Sequence, residues 1–127
     1  RKRLDKGHQC IVALVSGNPV AFIWIDYRHF HLGGEGIIQP LKPGEAFIYD
    51  CFTGTKWRGM NIYPTLLENI SNNLREENYK SATMLINTMN IPAIRAADKA
   101  GFRRGEGGYT KVIVLSLFRK TSSIPRA

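Results

Sequence analysis

The feature that most constrains this chain is a change of hydrophobic period at one junction. Up to Phe52 the apolar residues come in short β-forming runs, and from Ile62 onward they recur at helical spacing. The run Glu45-Ala46-Phe47-Ile48-Tyr49-Asp50-Cys51-Phe52 reads as a strand. Ile62, Leu66, Leu67, Ile70 and Leu74 form one stripe, while Glu68, Asn69, Asn72, Asn73 and Arg75 take the other side of an amphipathic helix. Pro64 fits such a helix only in its first turn. Lys56-Trp57-Arg58-Gly59-Met60-Asn61 therefore lies where a strand opens into a helix, the usual place for a ligand in an open α/β sheet.

The flanking segments fill in the order. Residues 10–15 and 20–27 are β-forming, and Ser16-Gly17-Asn18-Pro19 between them predicts a hairpin turn that Pro19 keeps from extending as strand. His29 to Gly44, with Gly33-Gly34, Gly36, Pro40 and Pro43, predicts a long loop. Residues 81–86 predict a buried strand. A helix over about 92–99 ends at Gly101, a good C-terminal cap. Glycines 105, 107 and 108 predict a loop, and Tyr109 to Phe118 a last strand. The expected fold is α/β, an antiparallel meander leading into a βαβ unit, in a single domain over 1–127.

Composition narrows the partners. The net charge of +8 favours polyanions, but much of the basic charge lies near the chain ends and no nucleic-acid motif is recognisable. No apolar run reaches the ~20 residues that span a bilayer, so no membrane partner is expected. Cys10 and Cys51 lack metal-ligand spacing and predict reduced thiols in a cytoplasmic protein. His29 and His31 offer two ligands without a third, so no metal is expected.

A helix N-terminus presents free N–H groups and partial positive charge to an anion, and Gly59 lets backbone approach it without a Cβ. Lys56 and Arg58 add charge. Position and charge alone leave two readings open, a phosphate cradle or a turn carrying two solvated basic residues.

The stretch from Phe52 to Tyr63, followed by Leu66-Leu67, resembles the coenzyme-binding segment of the GNAT superfamily of N-acetyltransferases. Lys56 stands at the leading Gln/Arg position of its Gln/Arg-x-x-Gly-x-Gly/Ala loop and Gly59 matches. Asn61 replaces the final Gly/Ala, and Asn enters left-handed backbone more easily than most residues. Asn90-Ile91-Pro92-Ala93 followed by Lys99-Ala100-Gly101-Phe102 is similar to a second block of that family, with the same spacing. The resemblance covers about residues 45–117. It implies a mixed, mostly antiparallel sheet flanked by helices, with the family's N-terminal elements missing. It also implies acetyl-CoA, or another acyl-CoA, as co-substrate and a small-molecule or protein amine as acceptor, with a homodimer left open. A non-catalytic acyl-CoA-binding or regulatory module is the alternative.

The same resemblance supplies candidate site residues. Phe52, Thr53, Lys56, Trp57, Arg58, Gly59, Met60, Asn61, Ile62 and Asn90 would bind the coenzyme. Glu45 stands thirteen residues before Arg58, the spacing of a general base in some members, and Tyr49, Tyr63 or water could protonate the departing thiolate. The family's usual tyrosine for that role is replaced by Ala97. Alternation predicts Glu45, Phe47, Tyr49 and Cys51 on one face of the strand and Asp50 on the other.

Overall fold

A computed structural model describes residues 2–32, 37–104 and 112–118. A short helical turn, α1 (Lys2–Asp5), precedes strands β1 (Gln9–Val15), β2 (Asn18–Asp26), β3 (His29–Leu32), β4 (Ile37–Pro40) and β5 (Glu45–Thr53). Helix α2 (Ile62–Glu76), strand β6 (Ser81–Asn87), helix α3 (Ile91–Lys99) and strands β7 (Arg103–Arg104) and β8 (Val112–Phe118) follow. The main sheet runs β1-β2-β5-β6-β8-β7 and is antiparallel except between β5 and β6. The mixed, mostly antiparallel sheet flanked by helices is the fold expected from the sequence.

Two expectations need correcting. The segment from His29 to Gly44 is not one loop: β3 and β4 pair as a hairpin, His29 opposite Pro40 and Leu32 opposite Ile37. Phe30 of this hairpin packs its ring 5.0 Å from that of Phe47, so an aromatic contact fastens it to β5. Pro19 does not hold off the strand either. Ser16 and Gly17 alone make the turn, both at positive φ, and β2 begins at Asn18 with Pro19 opposite Leu14. The expected glycine loop at 105–108 and the start of the last strand at 109–111 lie outside the described residues.

The stripe read from the sequence becomes the contact of α2 with the sheet. Leu66, Leu67, Ile70 and Leu74 are buried against Ile23, Ile25, Ala46 and Ile48. Among them Ser71 returns its hydroxyl to the carbonyl of Leu67, so no polar atom is stranded. Both long helices stop by the same device. After α2, left-handed Asn78 lets its own N–H reach the Arg75 carbonyl and that of Tyr79 reach Leu74. After α3, Gly101 does likewise, with Gly101 N–H to Asp98 and Phe102 N–H to Ala97. This stop turns Phe102, 1% exposed, straight into the core.

The parallel pairing of β5 with β6 is short. It runs from Glu45 opposite Ser81 to Ile48 opposite Met84. Beyond that rung β5 stays with β2 and β6 stays with β8, so the two strands diverge and the sheet opens between them.

Candidate functional site

A bulge in β5 shapes the opening. Tyr49 faces Trp24 and Phe52 faces Phe22, so Asp50 and Cys51 together oppose the single residue Ile23. Asp50 takes a left-handed φ of 52° to make this possible. The extra residue reverses the alternation, which corrects the expected grouping: Cys51 does not share a face with Tyr49. It points to the α2 side, where it hydrogen-bonds Tyr63, while Phe52 comes round to stack on Phe22 at 5.5 Å.

Where β5 and β6 part, a cleft of about 950 Å³ lies between the end of β5, the start of α2 and α3, at the upper end of ordinary ligand pockets. Of the coenzyme-binding candidates, Phe52, Thr53, Trp57, Arg58, Gly59, Asn61, Ile62 and Asn90 line it, joined by Cys51, Tyr63, Pro64, Pro92, Ala93, Arg95, Ala96 and Lys99. Lys56 and Met60 do not line it. Both are exposed.

The loop is anchored at one end and open at the other. Thr55–Trp57 form a 3-10 turn, with Trp57 packed against the core and its N–H donated to the Gly54 carbonyl. Arg58 turns back so that its Nε donates to the Thr53 carbonyl at 3.0 Å, its guanidinium 6.0 Å from the Phe52 ring centre. Gly59 has φ 78°, and a Cβ there would meet nothing within 4 Å, so conformation rather than space calls for glycine. Asn61 takes φ 65°, the left-handed backbone anticipated for a residue replacing Gly. Its side chain makes no capping bond, which leaves the first-turn N–H groups of α2 without a side-chain cap.

Asn90 caps α3, its Oδ1 accepting from the Ala93 N–H at 3.3 Å. Ala97, where a catalytic tyrosine was looked for, is fully buried in the core. Burial pushes the Cys51 thiol up to about 12 and also raises the Tyr63 phenol, against which the neighbouring thiol acts in the same direction.

The two catalytic candidates separate. Glu45 starts β5, about 26 Å along the strand from Thr53 at ~3.3 Å per residue. Its carboxylate accepts from the Lys42 N–H at 2.8 Å and does not reach the cleft. Tyr49 lies next to the bulge, on the face away from α2, where it meets His8 and Arg3. The sequence did not single out His8, which has no motif around it and is brought to Tyr49 from 41 residues away. Among the described residues no three His, Cys, Asp or Glu side chains gather as metal ligands, and no helix is long and apolar enough to cross a membrane.

A strand that parts from its parallel neighbour at a bulge, a loop with glycine before a helix, and a capped second helix define an acetyltransferase fold. The chain belongs to the Acetyltransferase (GNAT) family, whose sequence profile matches residues 1–102. No curated protein sequence matches it. Among solved structures it is similar to the GNAT domain of S. lividans PAT, at 19% identity and TM-score 0.69, covering 88% of this chain and 61% of that one. It is similar also to the PaiA N-acetyltransferase from Thermoplasma acidophilum in complex with coenzyme A, at 11% identity and TM-score 0.69, covering 93% and 66%. A third is the ribosomal-protein-S18-alanine N-acetyltransferase from Escherichia coli, at 14% identity and TM-score 0.69, covering 92% and 75%. The chain thus spans less than two thirds of the length of the first two.

Proposed function

We propose that this chain transfers an acetyl, or another acyl, group from coenzyme A to a primary amine. The observation that carries the reading is the cleft at the parting of β5 and β6, with the uncapped start of α2, Gly59 and Arg58 on its rim. Pyrophosphate would sit on the N–H groups from Gly59 to Ile62, with Arg58 leaving Thr53 to pair with it and Trp57 holding the loop. Lys56 and Met60 would act only at the outer edge. The pantetheine arm would run between β5 and α3, past Phe52, Thr53 and Asn90, and bring the thioester to the gap in the sheet.

There an amine, entering from the Tyr49 face, would attack the carbonyl. The tetrahedral oxyanion would collapse with loss of the thiolate, and backbone N–H groups of the bulge would receive the negative charge. The location of Tyr49 beside the bulge favours it over Glu45 as the group that handles protons. Tyr63, its proton held by burial, is a poor donor to a thiolate, so water reaching the cleft serves better.

Calorimetry with acetyl-CoA tests the assignment, comparing the wild type with an Arg58→Glu/Gly59→Glu double variant. A loss of at least tenfold in affinity is expected, whereas equal binding by both, or none by the wild type, removes it. Binding without turnover over a broad amine panel selects the non-catalytic alternative.

A further inference from the structure

The face of the sheet away from α2 carries a chain of polar groups that coenzyme binding does not use. Asp26, at the end of β2, is 3% exposed. Its Oδ1 accepts from the N–H groups of Arg28 at 2.8 Å and His29 at 3.0 Å, which fixes the carboxylate in place. Its Oδ2 lies 3.1 Å from Nε2 of His8. The other ring nitrogen of His8, Nδ1, is within hydrogen-bond distance of the Tyr49 hydroxyl.

The order of these contacts sets the proton positions. A buried carboxylate that already accepts two N–H groups calls for a donor, so His8 carries its proton on Nε2. In the neutral ring Nδ1 then holds a lone pair, and Tyr49 donates to it. A carboxylate, an imidazole and a hydroxyl in sequence are the arrangement by which a base, oriented by an acid, draws a proton through a third group. Arg3, from α1, also bonds the Tyr49 side chain and pairs with Asp50 at 2.7 Å. Among the described residues, the charged and titratable groups around the phenol include Asp26, His8, Arg3 and Asp50.

Tyr49 adjoins Ile48, the last residue of β5 paired with β6, and Asp50, the first of the bulge. The relay thus ends where the sheet opens.

We infer that His8, oriented by Asp26, is the proton acceptor of the site and works through Tyr49 to deprotonate the acceptor amine. The inference rests on the acyl-transfer reading above. An ammonium group gives its proton to the Tyr49 oxygen while the Tyr49 proton passes to Nδ1 of His8. The neutral amine keeps the electron pair that attacks the thioester, and the imidazolium formed is held by Asp26 and later releases its proton to solvent. Tyr49 touches the substrate, and His8 and Asp26 are positioning residues. Burial raises the Tyr49 phenol, with Asp26 and Asp50 acting in the same sense and Arg3 against it, so Tyr49 remains protonated at neutral pH.

The test has two arms. In the first, long-range 1H–15N spectra of histidine-labelled wild type are followed from about pH 5.5 to 9. The His8 ring is expected to carry its proton on Nε2, facing Asp26, and its ring 15N shifts should change in Tyr49→Phe. An imidazolium throughout that range, or a proton on Nδ1, overturns the relay.

In the second arm, acetyl transfer from acetyl-CoA to phenethylamine, spermidine and an alanyl peptide is measured against pH. Tyr49→Phe and His8→Gln should each lower kcat roughly 10²-fold, with acetyl-CoA affinity changed less than about twofold. The wild-type profile should show an acid limb that vanishes in His8→Gln. Unchanged kcat and limb in both variants overturn the relay. A wild type that binds acetyl-CoA but acetylates none of the three probes also overturns it and leaves the coenzyme assignment standing. A wild type that does not bind acetyl-CoA takes both down.

Discussion

The thiol of Cys51 and the phenol of Tyr63 share a hydrogen bond across the floor of the cleft, one from the bulge of β5 and the other from the first turn of α2. Burial pushes Cys51 up to about 12 from 9.0, so it is a packed thiol rather than a nucleophile. Native protein should react with iodoacetamide at Cys51 far more slowly than denatured protein, as followed by peptide mass spectrometry. The same pair sets an alkaline limit. Because the folded value lies above the unfolded one, the contribution of Cys51 to stability is complete below about pH 9 and is lost as pH rises toward 12. Tyr27, pushed up to about 12 from 10.0, acts in the same window. Urea midpoints should fall between pH 9 and 12 and fall less steeply in Cys51→Ala.

Gly59 and Asn61 hold left-handed backbone on either side of Met60. Gly59→Ala should cost about 1–2 kcal/mol in urea denaturation, the penalty of a Cβ in that conformation, and Asn61→Ala less than this, because Asn already carries a Cβ and loses only its tolerance of left-handed backbone. Asn61→Gly should be close to neutral. Acetyl-CoA affinity should fall with the first two and hold with the third. An Asn61→Gly variant that lost affinity would assign a binding role to the Asn side chain.

Asn90 has a structural duty that can be separated from any contact with a ligand. Asn90→Ala should cost about 1 kcal/mol through loss of the cap on α3, read as a lower thermal midpoint. Asn90→Asp keeps a capping oxygen and should recover most of that stability. If the Asp variant recovers stability but not acetyl-CoA affinity, the amide itself touches the coenzyme.

Ala97 cannot be restored to the tyrosine expected of the family. Its side chain is fully buried in the core, so Ala97→Tyr should overpack it and cost about 3 kcal/mol or more. Thermal unfolding measures this, and no gain in turnover is expected.

Local chemistry made much of this molecule legible in advance. The stripe Ile62–Leu74, Gly101 as a helix stop and the left-handed backbone of Asn61 each follow from the residue and its near neighbours. What escaped depended on partners distant in the chain. The β3–β4 hairpin is fastened by Phe30 against Phe47, and the glycines between its strands, with Pro40 at its end and Pro43 beyond it, read as loop. The bulge at Asp50 carries no sequence signal of its own, and it broke an alternation that otherwise assigned Cys51 to the wrong face. At the site the rim of the loop was readable through its glycine and basic residues, whereas His8 and Asp26 meet Tyr49 only once three strands are in register.

The early end of the ladder at Ile48 and Met84 gives the molecule a pair of sheet edges on its inside. An outer edge invites other chains and is normally blunted with charge or proline, but an inner one can be offered only to something thin enough to slide between two strands. A slender ligand carrying amide groups would serve as a missing rung, bonding backbone to backbone with little regard for side chains. Occupancy would then be registered as stability of the whole sheet, rising with ligand concentration by mass action. Such a domain would be a clasp, left one strand short and closed by what it held.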